Sequence, residues 1–208
     1  PDAMVEAAAH AWVHTQAERV LGAGIPLIVL SAGALADDVL RQRLEAAARS
    51  TRALLYVPSG GTGAHDAPKA AAIPGIDEAM IRVAKPPRAW LGIPYVEALG
   101  VALDGLQEPL VLYDGPARAG VAHFPQNVNI AAVLSLAGIG FDRTRLVAVA
   151  DPHLVRNTHT ITVKAVTGEI TITLENIPSP ENPKTAWLAC YSALAALKQM
   201  HSPIRYGT

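Results

Sequence analysis

The 208-residue sequence predicts an α/β protein: a parallel sheet comes first, followed by an α+β region whose open mixed or antiparallel sheet is covered by helices. Three observations predict it. The first third alternates short apolar runs with helices that are apolar on one face, the pattern of βαβ units. A Pro- and Gly-rich middle interrupts that alternation. Two period-2 runs around a turn then close the chain with a hairpin and a long helix.

In order, "AMVEA" reads as a short strand and "AAHAWVHTQAERVLGAG" as an Ala-rich helix with Val13, Ala17, Val20 and Leu21 on one face, ending at Gly22 or Gly24. "IPLIVLSAG" is a continuous apolar run, as in a strand buried on both faces. "DDVLRQRLEAAARS" is a helix with acidic residues at the end where its dipole favours them. "RALLYVPSG" reads as a third buried strand. This is half of a doubly wound, Rossmann-like sheet. "AMIRVAK" is a strand stopped by Pro86 and Pro87, and a short helix is expected at Tyr95 to Leu99. "LVLYDG" is a strand, "PARAGVAHFPQNVNIAAVLSLAGIG" two helices broken at Pro125, and "RLVAVADP" a further strand. "THTITVKAV" and "EITITLENI" form a hairpin turning near Thr167 and Gly168. The closing helix is expected over 182–200, with Asn182 as cap and Pro183 in its first turn. The predicted domains are therefore 1–75 and 76–208, the last helix packing back on the first.

Composition narrows the class of partner. Half of the residues are apolar, the net charge is −1 and there is no block of like charges, so nucleic acid and anionic membranes are not expected partners. No apolar run approaches the roughly 20 residues of a membrane-spanning helix. A single cysteine, Cys190, fits a reducing cytoplasm, and its apolar helix suggests that it packs as a small hydrophobe. The chain opens on "PDAMVEAAAH", which lacks an initiator methionine and reads as a strand end entering a helix, so a preceding segment is expected.

Five stretches can carry chemistry. "VPSGGTGAHD" follows a strand, and its glycines, Gly60 and Gly61 among them, let backbone N–H groups approach a cofactor or anion. "SAGAL", beginning at Ser31, ends the neighbouring strand in the same way. Two small-residue loops at one edge of a parallel sheet mark where ligands of such sheets bind. "FPQNVNIAA" sets Asn127 and Asn129 at a helix start; one can cap the helix, and the other can face a ligand with both donor and acceptor. "ADPHLVRNTHTITV" gathers Asp151, His153, Arg156, Asn157 and His159. An imidazole there can pass a proton near neutrality, or can be an ordinary strand residue, and a guanidinium can clamp a carboxylate. In "ENIPSPENPKT", Lys184 at a helix start is either an anion ligand or a surface lysine. His10 and His14 stand i, i+4 on a helix without a third ligand, which reads as a solvated face, and no metal site is expected.

Taken in order, "VLSAGALAD", "VPSGGTGAHD", "KPP", "FPQNVNIAAVLSLAGIGFDRTR", "VADPHLVRNTHTI" and "ENIPSPENPKTAWLACYSALAAL" resemble the L-aspartate dehydrogenase family. The resemblance implies an enzyme that uses NAD or NADP to interconvert L-aspartate with oxaloacetate and ammonia through iminoaspartate, linked to NAD biosynthesis and working as a homodimer. It implies His159 as the catalytic acid/base and Gly61 and Asn129 as cofactor contacts, with Gly61 standing where many relatives have alanine. Charge alone suggests Arg156 and Lys184 for the substrate's two carboxylates. The family's glycine-rich dinucleotide fingerprint has no counterpart in this sequence. Two alternatives stay open: another reductase of similar plan, homoserine-dehydrogenase-like or dihydrodipicolinate-reductase-like, and a non-catalytic dimeric binding module.

Overall fold

The apolar runs and amphipathic stretches become two sheets that meet along their helices. A computed structural model describes residues 1–63, 65–125, 129–177, 179 and 186–207. The first sheet is parallel, in the order β1 (Met4–Glu6), β2 (Leu27–Val29), β3 (Leu55–Tyr56), with helices α1 (His10–Gly22) and α2 (Asp38–Thr51) as crossovers. Two short helices, α3 (Asp66–Ala71) and α4 (Pro94–Ala98), follow further along the chain. Because strand side chains alternate, Leu27 and Val29 pack with Val13, Ala17, Leu21, Leu40 and Leu44 from the two helices. Ile28 points the other way, onto Ala193 and Ala196 of α7 (Trp187–Met200), so the central strand is buried on both faces. Asp37 caps α2, its carboxylate accepting from the N–H groups of Val39 and Leu40.

The second sheet is mixed, in the order β5 (Leu110–Pro116), β6 (Thr144–Ala150), β4 (Ile76–Lys85), β7 (Asn157–Ala165), β8 (Gly168–Asn176). Only β4 and β6 run parallel; the other neighbours are antiparallel. Ile81, Val83, Leu146 and Ile161 from the strands share one core with Trp90 and with Phe124 and Leu134, which α5 (Ala117–His123) and α6 (Asn129–Ala137) bring in. The Trp90 indole donates to the Val149 carbonyl at 3.0 Å, so its one polar atom is satisfied inside that core. Among the described residues no helix is long and apolar enough to cross a membrane.

Two expectations change, and a third falls outside the described residues. β3 is a two-residue edge strand with Leu55 half-buried and Tyr56 exposed, because β2 covers one of its sides and no strand among the described residues pairs with the other. Cys190 is exposed rather than packed. Its helix is apolar nearly all round, so periodicity could not say which face docks, and the docking face is that of Ala193 and Ala196. The proposed cap Asn182 and Pro183 lie outside the described residues, and α7 is described from Trp187.

Candidate active site

Strand β7 places His159 by its pleat. Asn157, His159, Ile161 and Val163 face the core, and His159 stands opposite Val83 of β4 and Leu174 of β8. It is 4% exposed, where a strand histidine on a half-open sheet would ordinarily be wetter. Two residues beyond Val83 on the same face is Lys85, the last residue of β4, which is 3% exposed with its ammonium 5.2 Å from the Trp90 ring centroid. Asn176, the last residue of β8, is diagonal to His159 across the ladder, and its Nδ2 lies 3.0 Å from His159 Nδ1.

Burial holds the His159 imidazole down to about 3, the Lys85 charge adds to the depression, and the Gly61 carbonyl works in the opposite sense. Burial likewise brings Lys85 down to about 8. His159 is therefore neutral at physiological pH. Its Nε2 is buried without a hydrogen-bond partner among the described residues. Leaving such a group unsatisfied costs about 1–3 kcal/mol, so a buried nitrogen of this kind needs an explanation other than packing.

Facing His159 is the turn Gly60–Thr62, at the carboxyl end of β3. The Gly61 carbonyl accepts from Asn176 Nδ2 at 3.0 Å, which ties the turn to the strand that carries His159's partner. Gly60 has a φ of +60°, which favours glycine, and a Cβ there would meet none of the described atoms within 4 Å. Its N–H is bound at 3.1 Å by the Ser192 hydroxyl of α7. A cavity of about 440 Å³ flanks the same turn, with Ser59, Gly63, His65 and Ser192 in its wall. The loop after β2 is held differently. Ser31 donates through both its N–H and its hydroxyl to the buried carboxylate of Glu6, at 2.9 Å each, and the Ala8 N–H donates to the same group at 2.7 Å.

Asn129 opens α6 and bridges the two parts: its Oδ1 accepts from the Gly33 N–H at 3.0 Å and lies 3.0 Å from His10 Nε2. The expectation of a solvated His10 is thus corrected. The helix start carries it onto the glycine-containing loop, where a side chain on Gly33 would collide with its ring, whereas His14 stays exposed, 3.9 Å from the Asp37 carboxylate. No cluster of three metal-binding side chains occurs among the described residues.

The acidic and basic groups ahead of β7 separate. Asp151 accepts from the His153 N–H at 3.0 Å and so caps its own turn, while Arg156 is exposed three residues before His159. Asn127 and Lys184 lie outside the described residues. Lys85, Asn176 and Glu6 were not singled out from sequence. A faint signal existed for Asn176: it continues the alternation of Ile170, Ile172 and Leu174 by one polar step, which puts an amide on the core face.

Residues 66–200 match the family model described as "Aspartate dehydrogenase, C-terminal", and residues 1–58 match "Homoserine dehydrogenase, NAD binding domain". The L-aspartate dehydrogenase of Methanosarcina barkeri is 44% identical over 207 residues, which cover 100% of this chain and 76% of that protein. The chain belongs to the aspartate dehydrogenase family. L-aspartate dehydrogenase 2 of Bordetella pertussis is 44% identical over 199 residues, 96% of this chain and 74% of its own length. The crystal structure of aspartate dehydrogenase from Thermotoga maritima superposes with a TM-score of 0.81 at 26% identity, covering 99% of this chain and 78% of that one. Membership of the aspartate dehydrogenase family thus extends across both sheets, β7 with His159 included.

Proposed function

We propose that this protein is an NAD(P)-dependent L-aspartate dehydrogenase, interconverting L-aspartate with oxaloacetate and ammonia through iminoaspartate. The observation that carries the reading is His159 Nε2, a buried nitrogen without a hydrogen-bond partner among the described residues, beside a glycine turn at the edge of a parallel sheet. Residues 1–75 belong in this reading to the cofactor domain and 76–208 to the catalytic one.

The residues fit a nicotinamide cofactor: a Cβ at Gly60 would meet none of the described atoms within 4 Å, and His159 Nε2 has no hydrogen-bond partner among the described residues. Gly60, Gly61, Asn129 and Ser31 would hold it, Ser31 through the loop that it anchors to Glu6. Bound there, the nicotinamide supplies the hydride acceptor or donor. His159 holds or moves the proton on the amine or water exchanged at the substrate's α-carbon. Lys85, the buried cation on His159's face, joins Arg156 and Lys184 as a group that can attract the two carboxylates of the substrate. A homodimer in the cytoplasm belongs to the same reading, supported by the family resemblance and the single cysteine.

The test is NAD(P)H absorbance with L-aspartate, or with oxaloacetate and ammonia, run beside homoserine and dihydrodipicolinate as controls. Turnover with the aspartate pair is expected, and His159→Ala should lower kcat by roughly 100-fold or more, the share that a positioned acid/base carries, with NADH affinity little changed. Equal losses in both would sink the role of His159, and turnover with a control pair alone would sink the substrate.

A further inference from the structure

The orientation of the Asn176 carboxamide is fixed by chemistry. Its Nδ2 is 3.0 Å from both the Gly61 carbonyl oxygen and His159 Nδ1. A carbonyl oxygen can only accept, so the amide nitrogen, and not its oxygen, must occupy that position. An amide NH2 has no lone pair to offer, so His159 Nδ1 must be the acceptor, and the neutral ring carries its proton on Nε2. The other tautomer and the imidazolium would each press an N–H against an N–H.

In this form His159 is a hydrogen-bond donor at Nε2 and not a base there, because the ring's lone pair is engaged at Nδ1. To accept a proton at Nε2 the ring must first carry its proton on Nδ1, which needs an acceptor where Asn176 Nδ2 now stands. Turning the carboxamide supplies Oδ1, but that oxygen would then face the Gly61 oxygen, so the Gly60–Thr62 turn must let go at the same time. We infer that Asn176 is a positioning residue that makes proton transfer at His159 conditional on the Gly60–Thr62 turn: engaged with Gly61 it keeps Nε2 a donor, and turned away it makes Nε2 an acceptor. The inference rests on the reading of His159 as the acid/base and of that turn as a cofactor contact. Among the described residues Lys85 on β4 is the charged group that bears on the imidazole; Asn176 and Gly61 carry no charge, and the Gly61 carbonyl acts against the lysine.

The tautomer is directly measurable on the full chain by imidazole nitrogen NMR of histidine-labelled protein, with the His159 signals identified by their loss in His159→Gln. The expected spectrum has an unprotonated Nδ1 and a protonated Nε2 at neutral pH; a protonated Nδ1 overturns the inference whatever any variant does. Asn176→Asp presents only acceptors, so His159 should switch to Nδ1–H and its titration should move up by at least about one pH unit, the size of a single nearby carboxylate's effect. Asn176→Ala should lower kcat by at least about 10-fold, well within what a wrong tautomer can cost, while KM for L-aspartate changes little. Unaltered His159 signals in both variants, each checked for folding by circular dichroism, would also overturn the inference. Absence of aspartate turnover with the expected wild-type spectrum would count against the dehydrogenase reading instead.

Discussion

Lys85 and His159 share one face of the central sheet, the lysine two residues past Val83, which stands directly opposite the histidine. Two groups that can both be cationic, side by side and dry, cannot both hold a proton cheaply, and the imidazole is the one that gives way.

Removing the lysine charge by Lys85→Met should therefore raise the His159 titration point. Burial is the larger cause of the depression, so the value should climb from about 3 and still stop short of the ordinary 6.5. Histidine titration followed by NMR checks this, and an unmoved curve would show that the two groups do not sense one another.

The same depression links stability to pH. Between about 3 and 6.5 the unfolded chain binds a proton at His159 that the folded chain refuses, so this contribution to stability is present above pH 6.5 and declines as the pH falls toward 3. His159→Gln removes it. At pH 4 the variant should gain on the order of 3 kcal/mol relative to its difference from wild type at pH 7. Urea denaturation at the two pH values measures that gap, and parallel shifts would contradict it. His65, also driven down to about 4 by burial, adds a slope of the same sign that both proteins share.

Glu6 is a third test, on the first sheet. Its carboxylate receives the Ala8 N–H, the Ser31 N–H and the Ser31 hydroxyl, all in a 2%-exposed position. Glu6→Gln replaces one acceptor by a donor facing an N–H, and the expected loss is about 2–3 kcal/mol in chemical denaturation. Ser31→Ala, which leaves the carboxylate two of its donors, should cost about 1 kcal/mol.

The glycines near the site divide by backbone geometry. At Gly61 an added Cβ would lie 3.0 Å from Ala186 Cβ, with an ordinary φ, so Gly61→Ala needs a shift of a few tenths of an ångström. The entropy gained against glycine, about 0.4–1 kcal/mol, offsets that strain, and the melting temperature should barely move. Gly60→Ala, at φ +60°, should instead cost about 1–2 kcal/mol. Gly33→Ala would drive into the His10 ring and Val121, and should loosen Asn129 and raise the KM for NAD(P)H. Equal melting temperatures for Gly60→Ala and Gly61→Ala would refute the distinction.

The parallel sheet and the hairpin were legible because continuous apolar runs, period-2 alternation and period-3.6 patterns are local, and Val13, Ala17 and Leu21 announce their face within their own segment. The histidine was legible as a candidate for the same reason, since "RNTHTI" is one short stretch. Its setting was not. Whether His159 is wet or dry depends on Val83 and Leu174, and its tautomer depends on Asn176 and Gly61, all remote in sequence. Lys85 looked like an ordinary strand-ending residue before two prolines, because nothing in "VAKPP" tells that Trp90 folds back beneath it. His10 was misjudged on the same grounds: its helix is exposed over much of its length, and only the meeting with Asn129 buries that one end.

The β7–β8 hairpin that carries His159 pairs with β4, and β4 leads on its other side to β6, so the second sheet closes only when its last strands arrive. The first sheet, by contrast, is built from neighbours in sequence. A chain leaving the ribosome can pair β1 to β3 early, with Ile28 still uncovered until α7 arrives, but Asn176 cannot tie His159 to Gly61 until residue 176 has emerged. Contacts of such long range are slow to form, so the cofactor-side scaffold should be protected from hydrogen exchange well before the imidazole becomes buried.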